Sequence, residues 1–235
     1  MTELGRILDA WPMLRGKGPD VWASFARVLL DKGKGVEAFT LALAAYEHPD
    51  CSRRDCVIAS SVLNAGVPKW HWNLVRDTAR NAAYEAALAR ADGPDRLVLD
   101  IGAGTGLLGL MALRAGAGRV VACEMQPATA RMAMDIARAN GAGDRLCIVP
   151  KKSNDLILGE DLDRPADVIV SEIVDNALLG EGVLPTHRDA VSRLLRHGGQ
   201  VIPGKGTIMV ALGHDPTLER RQMAIHEGFD LSLFN

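Results

Sequence analysis

An apolar run that enters a glycine-rich turn constrains this chain more than any other segment. Residues Leu97–Ile101 have the composition of a buried strand, and Gly102-Ala103-Gly104-Thr105-Gly106 follows directly. The next residues, Leu107–Leu113, have helical composition. Glycine lets a backbone pass close to a ligand because it has no Cβ atom. The segment therefore predicts a strand, a ligand-binding turn and a helix, in that order.

Strand-like and helical segments alternate from about residue 95 onward. Further strand-like runs lie at Arg119–Cys123, Arg145–Val149, Asp167–Ser171, Gln200–Pro203 and Thr207–Leu212. Amphipathic stretches lie between several of them, at Gly106–Ala115, Ala128–Asn140 and Pro185–Arg196. Such alternation is typical of a parallel sheet with helices on both faces. We therefore expect an α/β fold with a doubly wound, mostly parallel sheet.

Residues 1–68 have a different, helical and alanine-rich character. One face of a first helix carries Trp22, Phe25, Ala26 and Leu29, and a second helix after Gly33-Lys34 carries Ala38 and Ala45. These offsets resemble one tetratricopeptide unit, although an ordinary two-helix extension explains them as well. A single repeat cannot bury its own faces. We expect this helical extension to pack on the domain at residues 69–235 or to bind a protein partner.

Composition excludes several classes of protein. The net charge of -2 argues against a strongly basic nucleic-acid binder. The sequence has no uncharged apolar stretch long enough to span a membrane, and its first residues are unlike a secretory signal. The four cysteines lack CxxC or metal-ligand spacing, so we expect free thiols, a cytoplasmic location and no metal site; they are Cys51, Cys56, Cys123 and Cys147.

The glycine spacing indicates which cofactor the turn binds. The pattern is GxGxG, and Leu107 stands where the dinucleotide pattern GxGxxG requires its last glycine. This difference favours S-adenosylmethionine over NAD. Glu124 follows the second strand, where a carboxylate can accept hydrogen bonds from both ribose hydroxyls. The alternative is a glycine turn beside an ordinary surface glutamate.

Residues 69–235 resemble the protein arginine N-methyltransferases at several places in order. Val98–Leu108 is similar to the first motif of that family, and Ser171–Gly182 to its loop with two glutamates. His71–Tyr84 is similar to the helix that covers the cofactor. Gly228–Ser232 resembles the segment where the family leaves the nucleotide-binding fold. The resemblance implies a Rossmann-like methyltransferase domain.

The resemblance also implies a role for each matching residue around the cofactor. Arg80 pairs with the methionyl carboxylate, although Asp77 and Arg80 also have the spacing of a surface helix pair. His71 helps the covering helix to close over the cofactor, and Glu124 binds the ribose. The glycine turn cradles the methionyl and ribose parts through Asp100, Gly102, Gly104 and Gly106. The adenine edge meets Ser153 and Asn154, where most family members have an acid at the second position.

Two glutamates are the implied catalytic residues, Glu172 and Glu181. A guanidinium is a planar cation with a pKa of about 13.8, so two carboxylates can hold it and direct one nitrogen toward a methyl group. Nine residues at about 100° each would place them on opposite faces of a helix, so we expect a loop. The alternative is two solvated loop glutamates.

Family members continue into a β-barrel and a dimerisation arm, which residues 1–235 do not include. We therefore expect an incomplete substrate groove, unless the N-terminal helices replace the barrel or the chain is a fragment. The predicted function is S-adenosylmethionine-dependent methyl transfer to arginine in a protein or peptide, without nucleic-acid or membrane partners. The alternatives are a methyltransferase for another nitrogen nucleophile and a catalytically weak, cofactor-binding interaction module.

Overall fold

The computed structural model describes residues 3–65, 70–91, 93–175, 178, 180–213 and 223–234, without the side chains of residues 70–72 and 234. Six helices precede the first strand in this part of the chain. They are α1 (Glu3–Ala10), α2 (Pro19–Asp31), α3 (Gly35–Tyr46), α4 (Arg53–Ala65), α5 (Trp70–Arg76) and α6 (Thr78–Ala91).

Five parallel strands form the central sheet in the order β3-β2-β1-β4-β5. They are β1 (Leu97–Ile101), β2 (Arg119–Cys123), β3 (Leu146–Val149), β4 (Ala166–Ser171) and β5 (Leu195–Ile202). Three helices lie between them in sequence, α7 (Leu107–Ala115), α8 (Pro127–Ala139) and α9 (Val183–Arg193). A short antiparallel ribbon, β6 (Ile225–His226) and β7 (Phe229–Asp230), follows the sheet.

Strand β1 is the central strand, because it pairs with β2 on one side and with β4 on the other. All five of its residues are buried. Its odd-numbered side chains, Leu97, Leu99 and Ile101, pack with α9 on one face, whereas Val98 packs with α6 and α7 on the other. This confirms the expected doubly wound α/β fold. The strand order reverses direction at β1, the position where open α/β sheets bind ligands at the carboxyl ends of their strands.

The N-terminal helices enclose a core of their own. Buried side chains from α1 to α4 contribute to it, among them Ile7, Ala26, Leu29, Leu41 and Val62. Helix α3 contacts α8, and Glu47 forms an ion pair with Arg131 at 3.1 Å. The extension therefore packs against the sheet domain. The predicted boundary at residue 68 falls outside the described residues.

Three expectations need correction. Thr207–Leu212 forms no strand, and the side chains of Met209 and Leu212 are exposed. Strand β5 begins at Leu195, upstream of the predicted run, because it pairs with β4 from Ala166 onward. Cys51 and Cys56 are paired as a disulfide, whereas the remaining two cysteines are free as expected.

Two further observations concern the described residues as a whole. Their strands form the open sheet and the short ribbon, and none of them closes into a barrel. Among the same residues, no helix is both long and apolar enough to cross a bilayer.

Candidate functional site

The glycine turn after β1 is held in a conformation that favours glycine. Gly102, Gly104 and Gly106 have φ values of 76°, 55° and 79°, which side chains rarely adopt. A Cβ atom on Gly102 would lie 2.6 Å from Cγ2 of Ile173. The backbone N–H groups of Gly102 and Ala103 donate to the carbonyl oxygen of Cys123 at 3.0 Å each. The turn is therefore fixed against the end of β2 and leaves its upper side open to a ligand.

Glu124 lies directly after β2 and accepts a hydrogen bond from this turn. Its Oε2 accepts the N–H of Gly104 at 3.0 Å, and its Oε1 accepts the N–H of Gln126 at 2.8 Å. The residue is buried, with only 8% of its surface exposed. Each carboxylate oxygen has two lone pairs, so both oxygens can accept a further hydrogen bond.

Asp100 lies beneath the turn, outside the lining of the cavity. It is completely buried, and its Oδ2 accepts the N–H of Gly109 at 3.1 Å. Within the described residues its Oδ1 has no hydrogen-bond partner. Burial raises the pKa of Asp100 to about 7, and the neighbouring Glu124 carboxylate adds to this shift. Asp100 thus joins β1 to α7 without contacting the open side of the turn.

A cavity of about 340 Å³ lies at the carboxyl ends of β1, β2 and β4. This volume is within the usual range of small-molecule sites. Its polar and charged lining residues are Arg80, Gly102, Gly104, Thr105, Glu124, Gln126, Thr129, Glu172 and Glu181. A second space of about 100 Å³ shares Gly102, Met125, Ile173 and Glu181 and reaches Ser153. The two spaces together form an elongated cleft over the glycine turn.

Among the described residues, Arg80 is the cation that lines the larger space. Its Nη1 lies 3.3 Å from Oε2 of Glu172, and its Nη2 donates to Oδ1 of Asn81 at 3.1 Å. Its Nε is buried and lacks a hydrogen-bond partner in the described part of the chain. Asp77 accepts the backbone N–H of Arg80 at 2.9 Å and so caps α6. The surface pair of Asp77 and Arg80 is therefore a cap, and the guanidinium is directed into the cleft.

Both glutamates of the loop after β4 line the same cavity. Glu172 directly follows β4, and its side chain is 17% exposed, whereas Glu181 precedes α9 and is exposed. Gly182 has a φ of 72°, consistent with a turn before α9. The intervening Asn176, Ala177 and Leu179 are outside the described residues.

Two hydrogen bonds hold the end of β4 beside Glu172. The Oη of Tyr84 donates to the carbonyl oxygen of Ser171 at 2.9 Å. The Oγ of Ser171 lies 2.7 Å from Nε2 of His187 on α9. Burial, with the nearby Glu172 charge, raises the pKa of Tyr84 to about 12, so its hydroxyl stays protonated. Burial also lowers the pKa of His187, which favours the neutral imidazole.

Three predicted cofactor residues are not among those lining the cleft, namely Asp100, Gly106 and Asn154. Gly106 is buried at the start of α7, where an added Cβ would contact Ala133. Asn154 is exposed, and its backbone carbonyl oxygen accepts a hydrogen bond from Nη2 of Arg193 at 3.2 Å. His71 lies in α5, and its side chain is outside the described part of the structure.

The sequence interpretation missed Tyr84 and His187 as neighbours of the glutamate loop. Their contacts with Ser171 join residues far apart in sequence, so no local pattern marks them. It also missed Met125, which lines both spaces. The sequence could have indicated this position, because Met125 directly follows Glu124 at the carboxyl end of a parallel strand, where ligands bind.

Comparison with known proteins identifies related sequences. Residues 84–203 match the family model described as ribosomal protein L11 methyltransferase (PrmA). The chain is 40% identical over 188 residues to an arginine N(omega)-methyltransferase of Streptomyces achromogenes subsp. streptozoticus, covering 80% of this chain and 52% of that protein. It is 43% identical over 144 residues to protein arginine N-methyltransferase 7 of Oryza sativa subsp. indica, covering 57% of this chain and 20% of the relative. It thus spans about half of the first relative and a fifth of the second.

A solved structure shows a similar fold. The Trypanosoma brucei PRMT1 enzyme-prozyme heterotetrameric complex with AdoHcy contains a chain that superposes with a TM-score of 0.62 at 27% identity. The superposition covers 71% of this chain and 52% of that one.

Proposed function

We propose a function from the premise that the chain belongs to the methyltransferase family described as ribosomal protein L11 methyltransferase (PrmA). The proposed reaction is methylation of a guanidinium nitrogen of arginine in a protein or peptide. S-adenosylmethionine is the proposed methyl donor. The observation that carries the proposal is one cavity lined by the glycine turn, Arg80, Glu172 and Glu181.

The residues of the cleft fit S-adenosylmethionine at both ends. Arg80 has a buried Nε without a partner among the described residues, and a carboxylate is the ligand that satisfies such a donor. Glu124 has free acceptor capacity beside the turn, which suits a pair of ribose hydroxyls. Gly102 and Gly104 leave the space that the middle of the cofactor needs. The cofactor, when bound, supplies a methyl group on a positively charged sulfur.

Glu172 and Glu181 supply the negative charge that an arginine side chain requires. A guanidinium is planar and remains charged at neutral pH, so its nitrogens are poor nucleophiles. Carboxylates bind such a cation through short, charge-assisted hydrogen bonds that fix its orientation. They also draw positive charge toward the nitrogens they contact, which leaves the free nitrogen richer in electrons. Correct placement of the two reactants then provides a large part of the rate enhancement.

The proton lost from the methylated nitrogen needs an acceptor. Glu172 and Glu181 are the carboxylates that line the cavity beside the proposed guanidinium site. A carboxylate within hydrogen-bond distance of the proton can act as the general base. The chain therefore contains the groups that bind the substrate and the groups that accept its proton.

We further propose that residues 1–68 form a helical unit that contacts a protein partner or substrate. Support comes from the separate apolar core of α1 to α4. The similarity of these helices to a tetratricopeptide unit remains a prediction from the spacing of Trp22, Phe25 and Leu29.

The proposal is tested with methyl-labelled S-adenosylmethionine and two peptides of identical sequence except that lysine replaces every arginine in the second. Mass spectrometry then locates the methyl group. We expect methyl on a guanidinium nitrogen of the first peptide and no labelling of the second. Methyl on lysine or on another nitrogen would support the alternative methyltransferase, and cofactor binding without transfer to either peptide would support the interaction module.

A further inference from the structure

Arg193, in the last turn of α9, binds a turn that is distant in sequence. Its Nη1 donates to the carbonyl oxygen of Leu156 at 2.9 Å, and its Nη2 donates to those of Ser153 and Asn154 at 3.2 Å each. The same guanidinium pairs with Asp189, with Nε to Oδ1 at 2.7 Å and Nη2 to Oδ2 at 2.6 Å. One side chain therefore joins three carbonyl groups of this turn to α9.

The turn that Arg193 holds has few hydrogen bonds of its own. Within it, the N–H of Asp155 donates to the carbonyl oxygen of Lys152 at 2.9 Å, and the N–H of Leu156 donates to that of Ser153 at 3.3 Å. The conformation of this turn therefore depends on α9 as well as on its own backbone. Ser153 is buried and lines the smaller space of the cleft, so any movement of the turn changes the shape of that space.

The planar geometry of Arg193 suits this task. A guanidinium offers five N–H donors in a rigid plane, so it can satisfy a carboxylate on one side and several carbonyls on another. A lysine ammonium has a single nitrogen and cannot reach all these acceptors together. Arg193 keeps Asp189 ionised by lowering its pKa, and the two groups form a stable pair on α9.

We propose that Arg193, supported by Asp189, is a positioning residue that sets the Ser153–Leu156 turn for recognition of the adenine ring of the cofactor. The inference rests on the proposed function, because it takes the smaller space of the cleft as the adenine site. Helix α9 also begins directly after the loop that carries Glu181. The same helix therefore holds the Ser153–Leu156 turn at the cofactor site and one end of the loop that carries Glu172 and Glu181.

The test compares two ligands by calorimetry, S-adenosylhomocysteine and S-inosylhomocysteine, in which a carbonyl replaces the adenine amino group. The wild-type chain should prefer the adenine ligand by about tenfold, the usual effect of one lost hydrogen bond. Arg193→Gln should bind S-adenosylhomocysteine about tenfold more weakly and lose most of this preference, because the turn no longer has a fixed shape. A residue with only a stabilising role would lower the melting temperature without changing the ratio of the two affinities.

Matched variants keep the test decisive. Arg138→Gln removes a comparable ion pair, Arg138 Nη1 to Asp135 Oδ1 at 2.8 Å on α8, and should leave the ratio unchanged. Arg193→Lys keeps the charge and should still lose the preference, and it replaces Arg193→Gln if that variant fails to fold. An unchanged ratio in a folded Arg193 variant, or equal binding of both ligands by the wild-type chain, overturns this inference alone. Failure of the wild-type chain to bind S-adenosylhomocysteine overturns the proposed function as well.

Discussion

Arg80 and Glu172 form an ion pair, with Nη1 and Oε2 separated by 3.3 Å and both side chains largely buried. The proposed function assigns these residues to different ligands, since Arg80 faces the cofactor carboxylate and Glu172 faces the substrate guanidinium. In this structure the two groups therefore pair with each other rather than with the ligands that the proposal assigns to them. Cofactor binding would draw the Arg80 guanidinium toward the methionyl carboxylate and away from Glu172.

Glu172→Gln should increase the affinity for S-adenosylhomocysteine by a few fold, because Arg80 no longer has a competing carboxylate. The measurement is calorimetric titration with S-adenosylhomocysteine. Glu181→Gln, on the same loop, is the matched variant and should show no such increase in affinity. A tenfold loss of affinity in Glu172→Gln would show that Glu172 belongs to the cofactor site.

Glu124→Ala should weaken cofactor binding strongly, because it removes both a charged acceptor and the support of the Gly104 N–H. Each charge-assisted hydrogen bond contributes about 1.5–3 kcal/mol, so the dissociation constant should rise at least tenfold. Glu85→Ala removes an exposed ion pair with Arg114 and serves as the control, with no change expected. Equal dissociation constants for the Glu124 variant and the wild-type chain would exclude the ribose assignment.

Asp100 should make the stability of the chain depend on pH. Burial raises its pKa from 3.8 to about 7, so the folded chain binds the proton more tightly than the unfolded chain does. The free energy of unfolding should therefore fall as the pH rises from 4 to 7 and then level off, with about 2 kcal/mol lost between pH 5 and 7. Urea denaturation of the wild-type chain and of Asp100→Asn measures this difference. Parallel pH profiles for the two proteins would contradict the shifted pKa.

Tyr84→Phe should lower turnover by several fold without changing cofactor affinity, because the hydroxyl holds the carbonyl of Ser171 beside Glu172. The lost hydrogen bond should also cost about 1 kcal/mol of stability. The other tyrosine of the chain, Tyr46, is half exposed, so Tyr46→Phe is the natural control. Steady-state kinetics and thermal unfolding of both variants test this point, and equal turnover in the two would remove Tyr84 from the positioning of the loop.

The central strands could be predicted because local residues determine them. The β1 and β2 ranges coincide with the apolar runs in the sequence, since both strands are buried. Thr207–Leu212 has equally strand-like residues but forms no strand, because a strand also needs a neighbour to pair with. Composition cannot supply that information.

The residues of the site likewise fall into those that a local sequence pattern marks and those that it does not. The glycine turn and Glu124 have local signals, namely a fixed spacing and a position at the end of a strand. Arg193 has none, because its acceptors lie about 40 residues earlier in the chain. Asn154 was assigned to the adenine edge from its place in the sequence, yet it is exposed and is not among the residues that line the cleft. Contacts between distant segments thus decided what local patterns could not.

The most direct test of the account measures methyl transfer to an arginine peptide by Glu172→Gln and Glu181→Gln, with S-adenosylhomocysteine binding measured on the same preparations. An amide keeps the shape of the carboxylate but cannot balance the guanidinium charge, and one buried charged contact changes a rate by about 10²-fold or more. The account predicts that both variants bind the cofactor product within a few fold of the wild-type chain and lose nearly all turnover. Near-normal turnover in either variant would contradict the proposed role of that glutamate.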